Sequence, residues 1–167
     1  RRPSCLIRYG RNVCMKERGF EIVKGYEDQG INLPVRKTSF AAGYDIEAAS
    51  DVVVPVFTPG VAPVMVPTGI KAYCKDDEYI LIANRSSNPK KKGLILANSI
   101  GIIDKDYYNN SDNDGHIMLM FYNFGKEDVT IHKGDAIGQA IFQKYYLTFD
   151  DHASCERTGG FGSTDKQ

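Results

Sequence analysis

Tryptophan is absent from this chain of 167 residues, and its three histidines, His116, His132 and His152, stand too far apart for metal-ligand spacing. That argues against zinc. The four cysteines, Cys5, Cys14, Cys74 and Cys155, form no CxxC pair, so a reduced, cytoplasmic setting is expected. Neither sign of charge is in excess, because 21 lysines and arginines balance 21 aspartates and glutamates. A chain without a global field does not recruit nucleic acid or an anionic membrane, and any anion must be bound by local arrangement. No signal-peptide pattern, long apolar span or sustained helical period is visible, so neither a membrane segment nor a helical domain is expected.

What the chain does have is short β-branched runs punctuated by proline and glycine: Val52 to Phe57, Val61 to Val66, Gly69 to Cys74, Tyr79 to Ala83, Val129 to Ile131 and Ile137 to Leu147. This spacing predicts many short strands in a sandwich or barrel, with prolines at edges and corners. Composition is that of one globular domain, able to bury a core without staples. Residues 1–14 carry four arginines and no periodicity and read as a disordered leader or expression remnant, with a basic arm for nucleic acid as the functional alternative. Residues 15–150 form the β domain, opening with a strand over Met15 to Val23 and a loop over Lys24 to Lys37. Residues 151–167, ending in ERTGGFGSTDKQ, are a flexible arm. Lys75 to Glu78 and Gly125 to Asp128 read as solvated hairpin tips.

The stretch with the most chemistry in it is NSIGIIDKDYYNNSDNDGH, Asn98 to His116. Ile100, Ile102 and Ile103 suit a strand, Asp104 and Asp106 follow it, and Asn109 to Gly115 have the composition of a hairpin tip, so His116 to Tyr122 reads as the returning strand. A small planar ligand would be read by the backbone of this hairpin and flanked by Tyr107. Residue type alone equally allows a strand-ending aspartate and tyrosines on a sheet surface. Four other segments bear on the choice. AGYDI at 42–46 is a weak signal, since a glycine before an aromatic and an acid marks many bulges. Arg85-Ser86-Ser87 after a strand suits phosphate, because the guanidinium fork matches its oxygens. Gln139 in GDAIGQAIF serves either a core hydrogen bond or a ligand. Gly159, Gly160 and Gly162 around Phe161, before Ser163 and Thr164, would let backbone approach phosphate and lay a ring on a base.

Together, in this order and at these separations, the five segments resemble the trimeric deoxyuridine triphosphatase (dUTPase) family, of bacterial or phage type: AGYDIEA at 42–48, RSS at 85–87, NSIGIIDKDY at 98–107, GDAIGQAIF at 134–142 and RTGGFGST at 157–164. The resemblance implies an all-β jelly roll of the β-clip type, assembled as a homotrimer with active sites at subunit interfaces and a flexible C-terminal arm. It implies hydrolysis of dUTP to dUMP and pyrophosphate with Mg2+ as cofactor. By the same resemblance, Asp104 is the general base for the attacking water, and Asp45 is associated with the magnesium water shell. Arg85, Ser86, Ser87 and Gln139 hold the phosphates. Asn98, Gly101 and Ile103 receive the uracil, and Tyr107 excludes the 2′-hydroxyl. Phe161 stacks over the base while Arg157, Gly162, Ser163 and Thr164 close on the γ-phosphate.

Two rival readings share the scaffold. A dCTP deaminase of the same fold carries a catalytic glutamate where this chain has Met120, and a thioether cannot transfer that proton. A phage regulatory protein would use the tip Asn109 to Asp114 or the leader to bind a protein partner.

Overall fold

The computed structural model describes residues 16–153. Eleven short strands, β1 to β11 in chain order, make up the regular structure, joined by a π-helical turn at Asn88–Lys92 and a 3-10 turn at Lys105–Tyr107. They form a four-stranded sheet ordered β2 (Tyr44–Glu47), β11 (Ala136–Lys144), β6 (Glu78–Asn84), β8 (Gly101–Ile103), and a three-stranded sheet ordered β4 (Val64–Pro67), β9 (Met118–Asn123), β7 (Leu94–Leu96). Two strand pairs complete the fold: β1 (Gly19–Ile22) with β5 (Ile70–Tyr73), and β3 (Val52–Val54) with β10 (Val129–Ile131). Every strand pair is antiparallel.

Alternation puts one face of each strand inside. Ile80 and Ile82 of β6, Leu119 and Phe121 of β9, Leu94 and Leu96 of β7, Ile46 of β2 and Ile137 of β11 meet in one core. Burying side chains of this size stabilises by about 1.5–3 kcal/mol each. The long strand β11 ties the larger sheet together, pairing with both β2 and β6. Its register against β2 shifts between Ala136 and Gly138. A Cβ at Gly138 would lie 2.5 Å from Leu119 Cδ2, so only glycine lets the two sheets approach there.

Most of the expected strands are present, with four corrections. The expected hairpin from Asn98 to Tyr122 is not one: β8 pairs with β6, whereas β9 pairs with β4 and β7. Two buried anchors, Tyr107 and Ile117, carry the chain from one sheet to the other across Asp104–His116. The tight turn lies on the other side of β8, at Ala97–Ile100, where Ser99 takes a φ of 63°. Within AGYDI, Tyr44 to Ile46 belong to a strand, Tyr44–Glu47, with Asp45 and Ile46 buried. Leu94–Leu96 is a strand that its short apolar run did not disclose. Glu78, expected at a solvated tip, is 4% exposed and begins β6, its carboxylate clasped by Arg18 through Nε at 2.6 Å and Nη2 at 2.5 Å.

Candidate active site

The larger sheet assembles one polar cluster from three segments distant in sequence. Asp45 on β2 stands opposite Gln139 on β11, which in turn stands opposite Ala83 on β6, two residues before Arg85. The Gln139 Nε2 donates to Asp45 Oδ1 at 3.1 Å. Arg85 brings Nη2 to 3.9 Å from Asp45 Oδ2 and donates through Nη1 to Ala136 O at 3.2 Å. Asp45 is 6% exposed, so its charge is balanced by the amide and guanidinium rather than by water. Gly43 leaves the space this needs, since a Cβ there would sit 3.1 Å from the Gln139 side chain.

The loop after β6 is shaped by an asparagine that the motifs did not single out. Asn88 is buried and donates through Nδ2 to Asn84 Oδ1 at 2.8 Å and to Ile137 O at 2.9 Å. This pins the start of the π-helical turn and leaves Ser86 exposed and Ser87 half-buried beside Arg85. Lys90 and Lys91 are exposed, and Lys92 pairs with Asp135 at 3.3 Å.

Asp104 lies elsewhere. It follows β8, whose Ile103 pairs with Ile80, and lines a cleft of about 420 Å3 with Asp76, Glu78, Lys105, Asp106 and Tyr145. There Lys105 bonds Asp76 and Arg18 clasps Glu78. By register, Asp104 and Asp45 stand four residues apart along β6 and three strands apart across the sheet. At ~3.3 Å per residue and ~4.8 Å per strand, their backbones are roughly 20 Å apart. One chain therefore brings Asp45, Arg85 and Gln139 together and keeps Asp104 away from them.

Of the residues expected to receive the uracil, Asn98 is exposed, Gly101 and Ile103 are half-buried, and a Cβ on Gly101 would lie 3.0 Å from Ile82 Cβ. Tyr107 is 5% exposed and donates its hydroxyl to His116 O at 2.8 Å. Tyr108 donates to Glu21 Oε2 at 2.6 Å, and burial, reinforced by that carboxylate, pushes its hydroxyl up to about 12. Burial lowers the His116 pKa, and its Nε2 accepts backbone N–H bonds from Thr68 at 3.3 Å and Gly69 at 2.9 Å, so the ring is neutral. Arg157, Phe161, Gly162, Ser163 and Thr164 lie outside the described residues.

The family model for dUTPase matches residues 29–165. The chain belongs to the dUTPase family. A deoxyuridine 5′-triphosphate nucleotidohydrolase from Lactococcus lactis subsp. lactis (strain IL1403) is 51% identical over 152 residues, 90% of this chain and 99% of that protein. Another from Actinobacillus pleuropneumoniae serotype 5b (strain L20) is 33% identical over 92% of this chain and 100% of its own. Among solved structures, the dUTPase from Streptococcus mutans matches with a TM-score of 0.72 at 42% identity, covering 78% of this chain and 98% of that one. The dUTPase of phage phi11 of Staphylococcus aureus matches at 16% identity, covering 83% of this chain and 96% of that one, with a TM-score of 0.66. At that identity the likeness is of fold alone. In this dUTPase family member the all-β architecture agrees with the solved relatives, and among the described residues no helix is long and apolar enough to cross a membrane.

Proposed function

We propose that the chain is a dUTP diphosphatase, hydrolysing dUTP to dUMP and pyrophosphate by water attack at the α-phosphorus. This would limit uracil incorporation into DNA and supply dUMP for thymidylate synthesis. The observation that carries the reading is the separation of Asp104 from the Asp45–Gln139–Arg85 cluster. A triphosphate cannot span roughly 20 Å of sheet, so the two parts would make one site only where chains meet. A homotrimer with three shared sites satisfies this.

The outer face of the three-stranded sheet supports assembly. Met118, Met120 and Tyr122 point away from the core on β9, beside Met65 and Pro67 of β4 and Ile95 of β7. A sheet facing water alternates apolar with polar residues, and this one is apolar on both faces. A second copy of the chain would cover it. Met120 also sits where a deaminase of this fold carries its glutamate, which leaves that chemistry without its proton carrier.

In the reaction, Asp104 aims the water and accepts its proton, while Arg85 and the hydroxyls of Ser86 and Ser87 hold the phosphate oxygens. Gln139 fixes Asp45 and the phosphate chain together. A single carboxylate framed by an amide and a guanidinium fits magnesium held through its water shell and by phosphate, not by a protein cage. Bound there, the ion would neutralise phosphate charge. The turn Ala97–Ile100 with Asn98, Gly101 and Ile103 would read the uracil edge, and the ring of Tyr107 would lie against the sugar and exclude a 2′-hydroxyl. Arg157, Phe161, Gly162, Ser163 and Thr164 would close over base and γ-phosphate. The site sits in a chain expected to work in the cytoplasm.

The test is pyrophosphate release from dUTP, dCTP, dTTP and UTP, each with and without magnesium. Release from dUTP alone, dependent on magnesium, is expected. Equal release from UTP would remove Tyr107 from its role, and release of ammonia from dCTP would replace the proposal with the deaminase.

A further inference from the structure

The tip Asn109–Gly115 has the composition of a solvated loop, yet its amides turn inward. Tyr107 Oη, besides donating to His116 O, accepts from Asn113 Nδ2 at 2.8 Å. The other end of the same amide, Asn113 Oδ1, accepts from Asn110 Nδ2 at 2.9 Å and from the Gly115 N–H at 3.1 Å. Asn110 in turn donates to Tyr107 O at 2.7 Å. The base of the loop is fixed as firmly. The buried Lys71 Nζ bonds Asn109 Oδ1 at 2.5 Å and pairs with Asp114 Oδ2 at 2.9 Å. Asn109 and Asp114 hold left-handed φ values of 57° and 60°. A Cβ on Gly115 would lie 2.9 Å from both Tyr107 O and Asn109 N, so the loop returns against the tyrosine backbone as closely as a chain can.

We infer that Asn113 is a positioning residue for Tyr107, and that through it the tip sets how strictly the sugar is read. This rests on the proposed contact of Tyr107 with the sugar. Its chemistry is simple. A ring that rejects one hydroxyl by steric conflict must not yield by even a fraction of an ångström, because a pocket that merely tolerates the hydroxyl discriminates only about a hundredfold. A phenol held through its proton by one carbonyl and through its oxygen by one amide cannot swing about its Cα–Cβ bond. A polar group turned inward is costly unless bonded, and around this ring the half-buried amides of Asn110 and Asn113 are bonded.

The experiment compares kcat/KM for dUTP and UTP in Asn113→Ala, Asn113→Asp, Tyr107→Phe, Tyr107→Ala and the double variant Tyr107→Phe with Asn113→Ala, each checked for folding by thermal denaturation. Asn113→Asp keeps an acceptor for Asn110 and Gly115 and puts an anionic acceptor where the amide donates to the phenol. The dUTP-to-UTP ratio is expected to fall roughly tenfold in Asn113→Ala and in Asn113→Asp, the scale of one hydrogen bond. It should fall no further when Asn113→Ala is added to Tyr107→Phe. A purely structural role would lower turnover of both nucleotides alike and leave the ratio in place. An unchanged ratio in both Asn113 variants while Tyr107→Ala lowers it would overturn the inference, as would an equal drop in the Phe background. If Tyr107→Ala itself leaves the ratio unchanged, the contact with the sugar is wrong and the inference falls with it.

Discussion

Gln139 and Asp45 face each other on neighbouring strands and share a hydrogen bond of 3.1 Å, so the carboxylate cannot move without the amide. Asp45→Asn removes the charge while keeping the shape. Turnover of dUTP is expected to drop by about a hundredfold, the scale of losing one preorganised electrostatic group, and the magnesium concentration for half-activation should rise. Titration of activity against magnesium checks both. An unshifted titration would detach Asp45 from the metal.

Asp104→Asn keeps size and removes the proposed base. Hydrolysis is expected to fall by about a hundredfold or more, the range for general acid–base groups, while binding of a non-hydrolysable dUTP analogue, followed by calorimetry, survives. A binding module without chemistry would show no loss.

Because Asp104 and Asp45 are proposed to meet only between chains, two inactive variants should rescue each other. Asp104→Asn and Asp45→Asn chains, unfolded together and refolded as a mixture, are expected to regain a fraction of wild-type activity that neither shows alone. Separately, Met120→Asp places a charge on the apolar outer face of β9, where burying it against another chain is costly. Size-exclusion chromatography with light scattering should then report smaller particles, with activity lost in step.

Glu78 and His116 both contribute to the acid side of stability. The bidentate bond from Arg18 holds the Glu78 carboxyl below the usual range despite burial, so its contribution is complete above the unfolded value and is lost as pH falls through the folded one. Burial depresses His116, whose unfolded form takes a proton near pH ~6.5; its contribution is therefore complete above that pH and fades below it. His116→Gln, which keeps an acceptor for the Thr68 and Gly69 amides, should flatten the loss of stability below about pH 6.5. Denaturant midpoints at several pH values measure it.

The strands were legible where apolar runs were long, as in β6 and β11, and in β6 alternation reports burial directly. Leu94–Leu96 was hidden by its shortness, and Tyr44–Glu47 by an aspartate that is inward-facing but paired. The supposed hairpin failed for a different reason. Polar tip residues signal a turn but not which strands flank it, and here asparagines bond inward around Tyr107 instead of to water. The residue types proposed for the site were readable from motifs. Their split between two ends of a sheet was not, since that follows from strand order, and so did Asn88, a lone amide that no spacing marks.

Strand β6 works as a ruler. Arg85 leaves one end of it and Asp104 stands level with the other, so its seven residues hold these two groups of one chain apart. Adding or deleting one residue would turn Ile80 and Ile82 toward solvent as well as shift the gauge. With the strand held at fixed length, the reach of a shared pocket is left to how neighbouring chains dock against each other.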